Sequence, residues 1–598
     1  MNLLLRRNED RSKPNRRDFL LRSSAASLGL TSVVNSLAQL KLIGSAAAQG
    51  GGGDYKALVC FFLNGGNDSN NLLIPTSGST ARTEYDNGRG ATVLSIPDNT
   101  LDYTPGANNG YWNGSSVSLS PVSSRVTPQN HGQYNPANRP STYLNSSSSS
   151  GQHMAFHPGA YPLASMFEAG DLAMIANVGT LVGTQNVTRA NFNTLPAAAK
   201  PPQLFSHSDQ QVQWQSSLPD QPFSRGWGGK IADLLQGLNA GDLSMSVSIA
   251  GVNSFQVAYD QPAYFMNSSG AVSALTGFNS GSFQYGAALR NSGLQPIYTN
   301  PASTPGNRYN PMAAIRSGAD PLSGTNYQHN AAGWRLRAIE QIMSMQHASL
   351  FDDGYNTAPE SARVTEGLVG NALAQTANAD GTTTLDAHFN NWFPNNLFNP
   401  RIPDIANQMR VAARIIAGRS QLSNTRQIFF IQLGGWDTHT TQIPGQTNAG
   451  HYGLVNQMSR TMAAFKDAMQ AIGMWNNVLC FSASDFNRTF TPNKSDNSAG
   501  SDHGWGGHMF VAGGAVKGRK IFGQFPDLTV NGGMDVTGNR GRWIPTTSTD
   551  QVFASIAKWF GCNDSQIATV LPNFTRFQPD LSNGTLIARN LDFLNLTV

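Results

Sequence analysis

Three short, almost continuously apolar runs constrain this chain most: Ala57–Leu63 (ALVCFFL), Gln427–Leu433 (QIFFIQL) and Val478–Ser482 (VLCFS). A strand with one wet face alternates apolar and polar residues, so a run without alternation marks a strand buried on both faces. Each run breaks into a polar or Gly-rich turn: NGGND after the first, GGWDTH after the second, ASDFNRT after the third. Helical spacing lies between them. Leu454, Met458, Met462, Phe465, Met469 and Ile472 form one stripe at three- and four-residue intervals, the pattern of a helix facing a core. Tyr161–Ala169, GWGGKIADLL, Ala331–Leu350, Ile405–Ala417 and Gln551–Phe560 read as further helices. Leu172–Val178, Leu243–Ala250 and Met509–Ala512 read as strands. Strands alternating with helices predict an α/β fold, a mostly parallel sheet with helices on both faces.

Two stretches break this rhythm. Residues 76–151 and 263–324 are rich in Ser, Asn, Gly and Pro and carry little periodicity, so they read as long polar loop insertions in one domain spanning residues 49–598. Charged residues are 13% of the chain and the formal net charge is +4, part of it from the N-terminus. No basic patch is left to suggest nucleic acid. Asn15-Arg16-Arg17-Asp18-Phe19-Leu20, a weakly apolar segment to Ile43 and the small residues Ala46–Ala48 match a twin-arginine export signal over residues 1–48. Export by that route carries folded proteins and predicts a periplasmic or secreted location. No later run approaches the roughly 20 apolar residues of a membrane span. Cys60, Cys480 and Cys562 are too few and too scattered for a disulfide framework or a thiolate zinc site.

The chemistry gathers where strands end. Asp68 follows the first run, Asp437 and His439 the second, Asp485 the third, and His503 sits in the Gly-flanked turn SDHGWGG. Open α/β sheets bind ligands at the carboxyl ends of their strands. Carboxylate and imidazole are the donors that hold hard divalent cations and zinc, and Asp437 and His439, two apart in extended chain, point the same way. These five residues are the candidate ligands of a divalent metal, with zinc among the choices. Asp502 and His508 are assigned supporting roles. Ser206 precedes a helical segment, where backbone N–H groups favour an anion; it is the candidate nucleophile, with metal-bound water as the other attacking group. Arg488, just past Asp485, is placed to pair with the oxygens of an anion. His131, His153, His157 and His329 are read as solvated or hydrogen-bonded. Neither a GxSxG elbow nor a GxGxxG turn follows the first strand, which argues against an elbow hydrolase and a dinucleotide enzyme.

The export signal, LVCFFLNGGNDSNNLLIP, HPGAYPLASMFEAGDLAMIANVG, FSHSDQQVQW, GGWDTHTTQ, SASDFNRT, DHGWGGHMFVAGGAVKGRKIFGQFPDL and AKWFG together resemble a bacterial family. Its members are exported by the twin-arginine route and carry a domain of unknown function, placed in the alkaline phosphatase and sulfatase clan. The resemblance implies an alkaline-phosphatase-like fold with a two-metal site at its strand ends. It implies that Asp68 matches the first-strand aspartate, Asp437 and His439 a ligand pair, Asp485 the aspartate of an Ala-Asp-His motif, and His503 the last ligand. Two departures stand out. Phe486 occupies the place of a ligand histidine, and none of the cysteines has the sulfatase setting. The expectation is a metal-dependent hydrolase of phosphate or related esters acting on a small anionic ester. The alternative is a non-catalytic secreted or envelope protein that keeps the fold to bind a glycan or a partner.

Overall fold

A computed structural model describes most of residues 55–103, 154–268, 384–443, 450–577 and 591–596, with a few shorter pieces. In chain order its main elements are β1 (Lys56–Leu63), α1 (Thr80–Arg89), α2 (Tyr161–Glu168), β2 (Leu172–Gly179), α3 (His207–Ser216), α4 (Trp227–Leu235), β3 (Ser246–Ser248), β4 (Tyr264–Phe265), α5 (Leu385–Trp392), α6 (Asp404–Ala417), β5 (Arg426–Leu433), α7 (Gly450–Ala471), β6 (Val478–Ser484), β7 (Gly507–Ala512), β8 (Ile521–Gly523), β9 (Thr547–Ser548) and α8 (Thr549–Phe560). The nine strands form one sheet in the order β8-β2-β7-β6-β1-β5-β3-β4, with β9 also on β2.

The three apolar runs lie side by side at its centre. Parallel register pairs Leu63 of β1 with Leu433 of β5 and with Ser484 of β6, so all three strands end at one level. Successive side chains of a strand point to opposite faces, and β1 shows it. Ala57, Val59, Phe61 and Leu63 join a core with Met458, Met462, Phe465 and Met469 of α7. Leu58, Cys60 and Phe62 join the other core with Trp227 of α4 and Phe553 of α8. Both faces are thus covered, which is why the run carries no polar interruption. Burying each such Phe or Met side chain contributes about 1.5–3 kcal/mol, and the stripe on α7 supplies four of them to one face.

One strand departs from the parallel expectation. β7 is antiparallel to both β6 and β2, so the sheet is mixed, though mostly parallel. Parallel neighbours need a crossover to the opposite edge of the sheet, whereas antiparallel neighbours do not. Residues 485–506 leave β6 at its carboxyl edge and re-enter the sheet from that same edge, so β7 must run backwards.

The polar stretch that begins at Thr76 is helical at its start. Ala81, Arg82, Tyr85 and Arg89 of α1 are buried, so this part is packed structure rather than surface loop. Residues 104–121, 127–153, the export segment 1–48, the proposed helix Ala331–Leu350 and all but the first residues of 263–324 lie outside the described residues. Among the described residues no helix is long and apolar enough to cross a membrane.

Candidate metal centre

The turn after β1 is the platform of the site. Gly65 and Gly66 take φ of 115° and 81°, conformations that glycine adopts without a Cβ clash. A Cβ on Gly65 would meet the Asp437 backbone nitrogen at 2.6 Å, and one on Gly66 would meet the Phe486 ring at 2.4 Å. The glycines therefore let the exits of β1, β5 and β6 close on one another. The loop after β6 is closed on itself by the Arg488–His503 bridge and pinned to the exit of β5 by Ser501 N–H donating to Thr438 O at 3.1 Å.

Three imidazoles and one carboxylate meet above this platform. His207, Asp437 and His503 each place a ligand atom within 4.8 Å of the others. The Nε2 atoms of His207 and His503 are 3.1 Å apart, and those of His503 and His439 2.9 Å. Asp437 Oδ1 lies 3.1 Å from His439 Nε2, 3.4 Å from His207 Nε2 and 3.6 Å from His503 Nε2. His439 thus joins from one side, through His503 and Asp437.

Each Nδ1 is already engaged. His207 Nδ1 meets Asp485 Oδ2 at 2.7 Å, His439 Nδ1 meets Asp502 Oδ1 at 2.9 Å, and His503 Nδ1 meets the Phe205 carbonyl at 2.7 Å. A carbonyl or carboxylate oxygen only accepts, so each Nδ1 carries the proton and each neutral ring turns an Nε2 lone pair toward the others. Bare nitrogens at such spacing repel unless a proton or a cation sits among them. A tetrahedral zinc ion at about 2.0–2.1 Å from its ligands would hold them about 3.3–3.4 Å apart, close to the spacing found. Three imidazoles with a carboxylate are a zinc-type donor set, whereas magnesium and calcium prefer oxygen. The engaged Nδ1 atoms are the outer hydrogen bonds that metal-binding histidines normally make.

The charges fit that arrangement. The hydrogen bond to Asp485 raises the pKa of His207 above its ordinary value, against the effect of burial. Burial lowers that of His503, helped by repulsion from His207, Arg488 and His439, although its bond to Phe205 opposes this. Burial would raise Asp437, but its bond and charge pairing with Arg488 lower it, with His439 and His207 adding to that. Burial likewise opposes the lowering of Asp502 by Asn493, His439 and Arg540.

The residues expected from sequence fall into distinct places. Asp437, His439 and His503 converge. Asp485 is fully buried and sits behind His207, its oxygens taking the Gly65 N–H at 3.2 and 3.3 Å. Asp68 is elsewhere: its carboxylate is wholly buried, ion-paired with Arg89 and bonded to Gln442. Arg488 is also fully buried, with Nη1 on Asp437 Oδ1 at 2.6 Å and on Gly65 O at 3.1 Å and Nη2 on Ser501 O. Its N–H groups hold the site together from below. Ser206 is the N-cap residue of α3 without a side-chain cap bond, and its hydroxyl donates to Asp209 at 2.5 Å. Asp502 supports His439 as expected. His508 is buried, accepting from Asn177 N–H, and stacks on Phe525. His157 is buried and caps a short turn through Gly159 N–H at 3.0 Å; His131, His153 and His329 lie outside the described residues.

His207 is the residue that sequence reasoning missed. Attention to FSHSDQQVQW went to Ser206 as a cap, yet the first residue of the helix carries the imidazole. The signal was Phe486. Its ring stands 4.6 Å from His207 and 4.8 Å from His503, so an imidazole reaching in from α3 packs against the residue found where a ligand histidine was expected.

No curated protein shows significant similarity to this chain. Residues 260–540, which include Asp437, His439, Asp485, Asp502 and His503 but not Asp68 or His207, match the family model described as Protein of unknown function (DUF1501).

Proposed function

We propose that the chain is an exported, metal-dependent hydrolase of phosphate or related anionic esters, with His207, His439, His503 and Asp437 holding a divalent cation. The observation that carries this reading is the meeting of three imidazole Nε2 atoms whose Nδ1 partners are all occupied. A zinc ion bound there supplies Lewis acidity to an ester oxygen. The protein's own groups prepare the rest. Asp485, Asp502 and the Phe205 carbonyl keep the three rings in one tautomer, and Arg488 keeps Asp437 ionised and aimed. Ser206, one residue before His207, is the candidate nucleophile, and Asp209 is hydrogen-bonded to take its proton. Asp437, His439, Asp502 and Arg540 are each about a third or more exposed, which leaves the centre open to a small anionic substrate. The twin-arginine signal adds that a metal acquired during cytoplasmic folding travels with the protein to the periplasm or beyond.

A second reading is a secreted or envelope protein that keeps the fold for binding. Phe486 favours it, because an apolar ring stands where the resemblance implies a ligand. Elemental analysis of the purified full-length protein separates the two. A stoichiometric metal lost in His439→Ala and His503→Ala, with turnover of phosphate mono- or diesters abolished in Ser206→Ala, is the expected result. A protein free of bound metal that turns over neither ester class overturns the hydrolase reading.

A further inference from the structure

The segment before α3 carries a backbone conformation that needs an explanation. Gln203 and Phe205 have φ of 52° and 73°, the left-handed region that a bulky side chain rarely enters. Non-glycine residues are held there only when their surroundings over-determine them, and such residues gather at functional sites. Phe205 is placed to matter twice. Its carbonyl takes the His503 Nδ1 proton at 2.7 Å, and two residues later the chain delivers His207 to the same cluster.

Arg542 holds this turn from outside. Its guanidinium carbon stacks 4.6 Å from the centre of the Phe205 ring, and its Nε donates to the His503 backbone carbonyl at 2.8 Å. One side chain thus grips the residue that accepts from His503 and the backbone of His503 itself. Leu204 and Phe205 also pack against Trp505, Val536 and Ile544. The Arg542 backbone is held in turn by its own N–H donating to Asp535 Oδ1 at 3.0 Å. Two residues earlier Arg540 does the like for another imidazole, bonding Asp502 Oδ2 at 2.6 Å while Asp502 Oδ1 takes the His439 proton.

We propose that Arg542 and the left-handed Phe205 form a clamp that positions the metal-binding face of the cluster, Arg542 holding Phe205 in place so that its carbonyl fixes the His503 tautomer and the same turn presents His207. Both are positioning residues. The inference rests on the reading that these histidines bind a cation, but it has a consequence without one: His503 stays in its Nδ1–H form because of the clamp. A planar, stacking guanidinium with a directed Nε–H does what an ammonium cannot, so lysine restores only part of the effect. Phe205→Gly relieves the backbone but removes the ring that Arg542 grips, whereas Phe205→Tyr keeps the ring.

Two measurements on the full-length protein test the clamp. The first is zinc affinity by competition with a chelating dye, for the wild type, Arg542→Ala, Arg542→Lys, Phe205→Gly and Phe205→Tyr. Outer-shell partners of metal-binding histidines typically contribute 10- to 100-fold in affinity. Arg542→Ala and Phe205→Gly should therefore weaken zinc by about 10- to 100-fold, Arg542→Lys by less, and Phe205→Tyr hardly at all. The second is the His503 tautomer in metal-free protein, read from imidazole nitrogen shifts in long-range proton–nitrogen spectra. The wild type should show the Nδ1–H form and Arg542→Ala a mixture. Tight zinc binding in all variants, with the tautomer unchanged in Arg542→Ala, overturns the clamp while leaving the metal reading intact. A wild type that binds no zinc overturns the metal reading, and the tautomer measurement then decides the clamp by itself.

Discussion

Asp68 and Asp437 both follow central strands of one sheet, and the protein treats them in opposite ways. Asp68 is sealed in, with Arg89 supplying a positive charge from within the chain and Gln442 a further bond; these lower its pKa against the effect of burial, with His451 contributing. Asp437 is about half exposed; its Oδ1 accepts from Arg488 and faces three imidazole nitrogens that all present lone pairs. The first carboxylate has its counter-charge built in. The second sits among donors that ask for one more positive charge than the fold supplies. A strand-end aspartate therefore tells little by itself; what faces it decides whether it is structure or site.

The contrast can be broken most forcefully at Arg89. Removing one partner of a buried ion pair leaves an uncompensated charge and costs about 3–5 kcal/mol, so Arg89→Leu should lower the unfolding free energy by that amount in denaturant titrations. The zinc stoichiometry of the folded fraction should stay unchanged. If Arg89→Leu instead releases zinc at full stability, Asp68 belongs to the site.

His503→Ala should do the reverse. Its ring touches both other imidazoles, and zinc affinity should fall by more than about 100-fold, beyond the loss typical of outer-shell changes. The metal-free protein should unfold within about 1 kcal/mol of the wild type. Asp502→Asn comes next, weakening zinc by about 10- to 100-fold through the tautomer of His439, with the Asp68 pair untouched.

The smallest effect is the dependence on pH. His207 has its pKa raised above 6.5. In metal-free protein the extra attraction of the protonated ring to Asp485 stabilises the fold fully below the unfolded value and is lost as pH rises through the raised value. Zinc would bind at Nε2, the nitrogen that gives up its proton in this titration while Nδ1 stays on Asp485, so its affinity should climb across that window. His503, lowered from 6.5, binds protons less readily in the fold than in the unfolded chain, and this destabilises the fold as pH drops below 6.5. Proton spectra of the two rings through pH 4–8 should show them titrating on opposite sides of about 6.5; coincident midpoints would remove the electrostatic distinction between them.

How much of this was written in the sequence follows from the range of each interaction. The central strands were legible because a double-faced strand has no polar face to hide. Asp437 and His439 were legible as a pair because two-residue spacing is a local property. β7 was found but its direction was not, since direction depends on which edge of the sheet a loop returns to. Arg89 was hidden in a polar stretch, although Arg82, Tyr85 and Arg89 carry helical spacing. Arg488 looked like an anion contact because sequence does not show burial. His207 reached the cluster from a helix start far from the other cluster residues in the chain, and only the closed sheet brings it there.

The reversed strand has a consequence for the order of assembly. Because β6, its loop and β7 are consecutive and share one edge, Asp485, Arg488, Asp502 and His503 can come together through contacts near in sequence, whose loop-closure cost is small. Asp437 and His439 reach them only once β1 and β5 have paired, and that register joins Lys56 to Arg426 across most of the chain. His207 arrives by docking of a separate helix. The four side chains therefore meet only when that long-range pairing is in place, so the cation proposed to bind there would be captured as a late check on a finished fold. A chain exported after folding would carry that check with it.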